Sequence, residues 1–324
     1  MNASPPRISV LIPTYNRADL LPDAIHSVLA QTRPDFEILI VDDGSTDNTR
    51  QVVSAFEDDR ICYTYRENGG ISAALNTGLS LARGEYVCRL DSDDRWLPTI
   101  LEKQTAILEA HPEYGAVYSR AQAMDVHGNP LTQTLGALPH YPGQSFKSML
   151  YGDFGCAIAT TVRKACYDRV NGYDENLKVN VDWDVWIRLT RHYEFYFLDE
   201  VLAQFRHHPK RSTASSLFQY VLASRLTPLD KAFSEPGLPP DILAVRPLAY
   251  RNAHMDIAMQ WLGVKDYAQA RQHFAESIRI SGRPVTTLGR IVWLVTYYRF
   301  LSKHAWGIQL VHQMKQYRQN LTRR

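Results

Sequence analysis

Two short, almost unbroken apolar runs, Ile8-Ser9-Val10-Leu11-Ile12 and Phe36-Glu37-Ile38-Leu39-Ile40-Val41, frame a stretch whose apolar residues recur at helical spacing. Runs of this kind, rich in β-branched residues, predict strands buried on both faces. Between them Leu20, Leu21, Ala24, Ile25, Val28 and Leu29 gather on one side of a helix over 19–30. The unit then repeats. Asp47 predicts the cap of a helix reaching about Phe56, Ile61 to Tyr65 a strand, Ala73 to Ala82 a helix, and Glu85-Tyr86-Val87-Cys88-Arg89-Leu90 another buried strand. Such alternation predicts an α/β fold with a mostly parallel sheet flanked by helices.

Sheets of this type gather their ligands at the carboxyl ends of the strands, and three polar clusters fall there in turn. They are Pro13-Thr14-Tyr15-Asn16-Arg17, Asp42-Asp43-Gly44-Ser45-Thr46-Asp47 and Asp91-Ser92-Asp93-Asp94. Carboxylates crowded into the third repel one another unless a cation sits among them. Magnesium or manganese, both hard ions, would take one or two of these oxygens and complete their shells with water and phosphate oxygens. The pattern therefore points to a phosphorylated ligand, with a solvated acidic loop as the competing explanation. Two other readings fail. A dinucleotide fold needs a Gly-rich turn where this chain has Pro-Thr-Tyr-Asn-Arg, and an EF-hand loop counted from Asp43 meets Asn48 where Gly belongs and Ser54 where Glu belongs.

With 324 residues, 45% of them hydrophobic, the chain suits a core domain plus an appendage. The pattern loosens beyond residue 110, with turns predicted at His127-Gly128-Asn129-Pro130 and Asn171-Gly172-Tyr173-Asp174. A variable loop is expected up to Gly143, and a helix at about Trp183 to His192. After His208-Pro209 the composition turns helical. The expected division is a catalytic domain over 1–212 and a helical region over 213–324, with Pro236 to Pro240 a linker inside the latter.

The start of the chain has no apolar run of the secretory kind, and no stretch reaches the roughly 18 apolar residues of a membrane span. Cys62, Cys88, Cys156 and Cys166 fall at no metal or redox spacing and read as buried thiols in a reducing compartment, which makes the cytoplasm the expected location. The net charge of +2 conceals an asymmetry: from Ser277 onward there are nine Lys and Arg residues and no acid. A one-sided tail of this sort calls for an anionic partner surface.

Taken together, these residues resemble the inverting glycosyltransferases of family 2, with their GT-A fold, over about residues 7 to 210. The matching features are the opening Ile8 to Arg17, Val41-Asp42-Asp43-Gly44-Ser45-Thr46-Asp47, Asn68-Gly69-Gly70 with Ala74 and Asn76, Gly84-Glu85-Tyr86 and Leu90 to Asp94. Gly172-Tyr173-Asp174-Glu175 and Asp182-Trp183-Asp184-Val185-Trp186 complete the set. The resemblance implies a nucleoside-diphosphate sugar as donor, with uridine the leading base. Pro13, Thr14 and Tyr15 would wall the base, Asp43 would hydrogen-bond its edge, and Asn68 and Gly70 would admit the nucleotide. Asp91 would face the ribose, with Ser92 and Asp94 as supports. Asp93 would hold a divalent ion, manganese or magnesium, between the two phosphates. Arg206, within Phe205-Arg206-His207-His208-Pro209, would pair with phosphate and His208 would join the metal.

A base must also stand on the far face of the sugar, because an acceptor hydroxyl is a poor nucleophile until its proton is being removed. Asp182 occupies the family's position for it. Val181 precedes it where the family keeps a Glu, so the usual pair is incomplete. Asp182 could instead cap the helix starting at Trp183, and Asp184 is its rival as base.

Trp261-Leu262-Gly263, Tyr267, Ala270, Phe274, Ile278 and Pro284 resemble one tetratricopeptide-like hairpin near 250–284, ahead of a basic tail over 285–324. A single repeat cannot bury its own face, so packing on the catalytic domain or a homodimer contact is expected. The tail carries Trp293, Tyr297, Tyr298, Phe300 and Trp306 among its cations, which suits peripheral attachment to an anionic membrane and a saccharide or lipid-linked saccharide acceptor. No nucleic-acid partner is expected. The rival functions are a catalytically silent nucleotide-sugar-binding protein, which would not need Asp182, and a helical interaction protein, which would concern only the last third. A nucleotidyltransferase would open on a Gly-rich basic loop that is missing here.

Overall fold

The computed structural model describes residues 5–152, 155–208 and 224–281, so the basic tail and Pro284 lie outside the described residues. The chain divides into two compact units, Met1–Arg246 and Pro247–Arg324.

In the first unit the expected alternation is present as β1 (Ile8–Thr14), α1 (Leu21–Leu29), β2 (Phe36–Asp42), α2 (Thr49–Ser54), β3 (Ile61–Tyr65), α3 (Ile71–Leu81) and β4 (Tyr86–Arg89). β5 (Arg95–Trp96), α4 (Ile100–Ala110), β6 (Tyr114–Met124), β7 (Pro130–Leu135) and α5 (Ser145–Tyr151) follow. A 3-10 turn at Ala157–Ala159 leads into β8 (Thr160–Arg163), α6 (Lys164–Arg169), α7 (Val181–Thr190), β9 (Glu194–Arg206), α8 (Thr227–Ser234) and α9 (Pro240–Leu243).

Among the described residues nine strands form one sheet in the order β3-β2-β1-β4-β8-β6-β9-β5, with β7 attached to β6. The β3-β2-β1-β4 portion is parallel, as the alternation requires, and so is β6 with β9. β8 runs antiparallel between β4 and β6, which makes the sheet mixed. Every residue of β1 and β2 is buried, which explains why both read as continuous apolar runs.

Register fixes where the polar clusters meet. Thr14 pairs with Asp42, and Asp43 N donates to Thr14 O at 2.9 Å, so the first two clusters leave adjacent strand ends together. Leu90 N donates to Leu11 O at 2.9 Å, so the third cluster leaves β4 beside them.

The stretch that reads as loose in the sequence contains the longest strands. β6 and β9 run side by side, and β7 folds back on β6 through the turn predicted at His127–Pro130. At that turn Asp125 accepts from the backbone of His127 and Asn129 at 2.9 Å. Asp47 accepts from Thr49 N at 3.0 Å and so tethers the first residue of α2, but the N-cap itself falls on Asn48, one residue later than expected, because Asn48 O accepts the first helical bond from Val52 N. Among the cysteines, Cys62 departs from the expected burial: it is exposed because β3 is the sheet edge, while Cys88, Cys156 and Cys166 are buried thiols.

The first unit also reaches past the expected limit at 212. Lys231 of α8 donates to Asp174 at 2.6 Å and lies 2.5 Å from Asp184 on α7, which ties this helix to the sheet-bearing unit. The second unit holds α10 (Arg246–Gly263), whose first residue lies at the boundary, and α11 (Tyr267–Ser281). Ala258, Leu262, Ala270 and Phe274 form its buried seam, with Trp261 and Ile278 against them. Among the described residues no helix is long and apolar enough to cross a membrane.

Candidate active site

The three strand-end clusters open on one cleft of about 870 Å³, and Pro13, Thr14, Tyr15, Asp43, Asn68, Gly70, Asp91, Ser92, Asp93 and Asp182 all line it. Their residue types arise from separate local causes, beginning with the loop after β2. Asp42 accepts Tyr63 Oη at 2.6 Å and Ser45 N at 2.8 Å, so it holds the turn rather than facing the cleft. Asp43 accepts the backbone N–H groups of Gly69 and Gly70 at 3.0 and 2.8 Å, and Asn68 Nδ2 donates to Asp43 O at 2.9 Å. Gly44, at φ +88°, is required there, since a Cβ would meet Asn68 N at 2.9 Å. Asp43 thus organises the Asn68–Gly70 loop as well as lining the cleft. Tyr15 is half exposed, and among the described residues the buried Thr14 hydroxyl has no hydrogen-bond partner.

Asp91, Asp93 and Asp94 present carboxylate oxygens within 4.8 Å of one another, a hard-oxygen donor set of the type that suits magnesium or manganese. Asp93 Oδ2 lies within hydrogen-bond distance of His208 Nε2, at 2.8 Å, and Arg17 Nε lies 3.8 Å away. β9 delivers that histidine: Arg206 N donates to Asp94 Oδ1 at 2.8 Å and His207 N to Met124 O at 2.8 Å, which fixes the strand end against the acidic segment. Asp94 is buried, with Oδ1 occupied by that backbone N–H.

Arg206 departs from its expected place on phosphate. Its side chain is 2% exposed, and its guanidinium donates to Asp93 O, Val126 O and Asp23 Oδ2 at 3.1, 3.0 and 2.6 Å. It lies outside the cleft lining and clamps the acidic segment from behind. A guanidinium already satisfied by two carbonyls and a carboxylate has its donors committed.

The opposite wall comes from α7. Asn180 adopts φ 57° ahead of the helix, and Asp182 and Asp184, at 100° per residue, point to different sides. Asp182 lines the cleft and accepts from Arg89 Nη1. Asp184 is 2% exposed and is held by Arg188 Nε at 2.9 Å and by Lys231, so it is a buried structural carboxylate. The segment before α7 is fastened to α3: Asn76 Nδ2 donates to Tyr173 O at 2.9 Å and Glu175 Oε1 at 2.8 Å, and its Oδ1 accepts Tyr173 N at 2.8 Å.

Arg89 joins the two walls. Its Nε and Nη2 donate to Asp91 at 2.7 and 3.2 Å while Nη1 reaches Asp182. Burial disfavours its charge, yet the Asp182 and Asp91 carboxylates hold its pKa above the ordinary guanidinium value. Burial likewise pushes the Asp182 carboxyl above its ordinary range; Arg89 opposes the rise and Asp91 adds to it. Sequence reasoning passed over Arg89, although an arginine inside a run that otherwise reads as a buried strand signals a required partner. It also missed Lys178 and Arg225 on the cleft, which nothing local to their segments distinguishes from surface cations, and gave Arg17 no role of its own within the first polar cluster.

Residues 9–167 match the family described as glycosyl transferase family 2. An uncharacterized glycosyltransferase of Rickettsia typhi is 33% identical over 67% of this chain and 69% of its own length. TuaG of Bacillus subtilis, a glycosyltransferase named for teichuronic acid biosynthesis, is 35% identical over 62% of this chain and 79% of its own. Among solved structures, S. aureus TarS 1-349 in complex with UDP-GlcNAc shares the fold with a TM-score of 0.57 at 18% identity, over 85% of this chain and 92% of that one. The mannosyltransferase PcManGT from Pyrobaculum calidifontis, in complex with GDP-Man and Mn2+, does so with a TM-score of 0.58 at 19% identity, over 92% and 83%. The fold is thus the GT-A type, and the chain belongs to glycosyl transferase family 2.

Proposed function

We propose that this glycosyltransferase moves a sugar, with inversion, from a nucleoside-diphosphate donor to an acceptor hydroxyl, with UDP-sugars the favoured donors. The observation that carries the proposal is that one cleft holds an acidic, histidine-flanked cluster at Asp93 and, on its other wall, a separate carboxylate, Asp182, held by the buried Arg89. Two solved structures that share the fold are complexes with UDP-GlcNAc and with GDP-Man and Mn2+, which supports a nucleotide-sugar donor. TuaG's name supports a place in cell-surface polysaccharide assembly.

Asp93 and His208 would hold a divalent ion, manganese or magnesium, with Asp91 and Asp94 beside it. Such an ion, when bound, supplies positive charge to the leaving diphosphate. Pro13, Thr14 and Tyr15 wall the base, with the unpartnered Thr14 hydroxyl offering a hydrogen bond to the nucleotide. The carbonyl edge of the Asp43 loop and the Asn68–Gly70 backbone line its remaining side. Asp182 accepts the proton of the acceptor hydroxyl while that oxygen attacks the anomeric carbon from the face opposite the leaving phosphate. One displacement with one base inverts the anomeric centre. Arg89 stabilises the ionised form of Asp182 and keeps it turned toward the cleft. The acceptor is a saccharide, carried on lipid if the cationic tail rests on an anionic membrane.

Purified protein incubated with Mn2+ and individual UDP- and GDP-sugars should release nucleoside diphosphate slowly by hydrolysis for one donor. NMR of the first product with an acceptor should then show a β linkage from an α donor. A retained anomer rules out the single-displacement mechanism, and release of no diphosphate from any donor rules out the transferase.

A further inference from the structure

Arg225 is a cleft cation whose charge the described residues leave unanswered. Arg89 is neutralised by Asp91 and Asp182, and Arg17 lies 3.8 Å from Asp93. Arg225 has no carboxylate partner among the described residues. Its Nη1 donates to the neutral Oδ1 of Asn180 at 3.3 Å, its guanidinium lies 4.4 Å from the centre of the Trp183 ring, and its Nε is buried without a hydrogen-bond partner.

Its position is fixed from two sides. Asn180 Nδ2 donates to Ser224 Oγ at 3.2 Å, and the following helix α8 is tied to Asp174 and Asp184 through Lys231. The aromatic face and the amide orient the planar fork while leaving donors free, an arrangement that suits two-pronged recognition of a carboxylate or phosphate. Asn180 and Trp183 flank Asp182 in the chain, and all four residues line the same cleft. The anion held here therefore sits beside the carboxylate proposed as base, where the acceptor binds. The acidic cluster at Asp93, which would face the donor's diphosphate, belongs to the other wall.

We propose that Arg225, oriented by Asn180 and Trp183, forms a subsite for an anionic group on the acceptor, a phosphate or a carboxylate next to the hydroxyl that is glycosylated. The assignment of that group to the acceptor rests on the transferase function with Asp182 as base. The chain would then discriminate in favour of acceptors that carry a phosphate or carboxylate over neutral sugars.

Calorimetric titration of the full chain with sn-glycerol 3-phosphate, D-glucuronate and the neutral methyl glucoside, with and without saturating UDP and Mn2+, tests this. One of the two anions should bind wild type and the neutral sugar should not. Arg225→Gln should weaken that binding at least tenfold, Arg225→Lys should restore part of it, and UDP affinity should stay within about twofold. Thermal melting of both variants checks that the fold is kept. A tenfold fall in UDP affinity in Arg225→Gln would assign the arginine to the donor's phosphates and overturn the proposal. So would failure of both anions to bind wild type, or binding that ignores the substitution. Anion binding at Arg225 in a protein that takes up no nucleotide would instead sink the transferase function and leave the subsite standing.

Discussion

Arg89, buried at the end of β4, donates from Nη1 to the carboxylate of Asp182, 93 residues further along the chain, while its Nε holds Asp91 at 2.7 Å. One guanidinium thus sets the orientation of groups on both walls of the cleft. It also opposes the desolvation that raises the Asp182 pKa.

If Asp182 is the base, Asp182→Asn keeps the shape but loses basicity. Turnover should fall by roughly 10²- to 10⁴-fold with donor binding unchanged. Asp184→Ala should act differently, lowering stability by roughly 2–4 kcal/mol through loss of the Arg188 and Lys231 pairs; the figure is reduced because both cations reach solvent. Chemical denaturation and steady-state kinetics on both variants separate the two carboxylates. A catalytic loss confined to the position-184 variant would reverse the assignment.

The pH profile follows from the direction of the Asp182 shift. The carboxylate must be ionised to accept a proton, so transfer should decline as pH falls through a value above the ordinary carboxylate range. Burial, Arg89 and Asp91 bear on it; burial and Asp91 raise the value, and Arg89 favours ionisation. Arg89→Met should therefore move the acid limb to higher pH. An unmoved limb in that variant would detach Arg89 from the base.

Asp93→Ala and excess chelator should each abolish detectable transfer, with manganese or magnesium restoring wild type after chelation. His208→Gln should raise the metal concentration needed for half-maximal rate, because its ring lies 2.8 Å from Asp93. Full activity in excess chelator removes the metal from the mechanism.

Gly172 sits at φ +61°, and a Cβ there would meet Asn76 Oδ1 at 2.5 Å. Gly172→Ala should lower stability by about 1–3 kcal/mol, combining left-handed strain with a contact that the Asn76 clamp must yield to. The clamp precedes Asp182, so turnover should fall as well. Unchanged melting and unchanged rate would show that the turn tolerates a side chain.

The cationic tail after Pro284 should bind anionic vesicles, more weakly as salt rises. Cosedimentation of the full chain and of a truncation at Pro284 compares the two. Equal recovery with vesicles would leave the tail as packing or dimer surface, with the catalytic site unaffected.

Much of the first half was legible in sequence because its information is local. Ile8–Thr14 and Phe36–Asp42 are buried on both faces, so apolar runs mark them without ambiguity, and α1 between them carries one apolar side. Parallel strands joined by helices leave their carboxyl ends at one edge, which is why the three polar clusters could be placed together. β6 and β9 were harder to read because their burial is broken: polar Ser119 and Gln204 lie inside them, and both strands shift register where they pair. No residue of β9 indicates by itself that it will lie against a strand some 80 positions earlier.

The cleft residues divide in the same way. The placement of Asp43, Asp91, Asp93 and Asp182 on one cleft was legible because each belongs to a short motif with a fixed relation to a strand or helix end. Arg206 and Arg225 could not be assigned so. Both are arginines close to apolar neighbours in the sequence, and burial and partner decide between them: Arg206 lies against two carbonyls and Asp23, while Arg225 faces Asn180 and the Trp183 ring with no counter-charge among the described residues. The sequence determined the alternation of elements, the edge where ligands collect and the carboxylates placed there. Only the tertiary structure decided which cations are already neutralised, because a side chain's electrostatic partner is set by distance in space, and these partners are brought together by segments far apart in the chain.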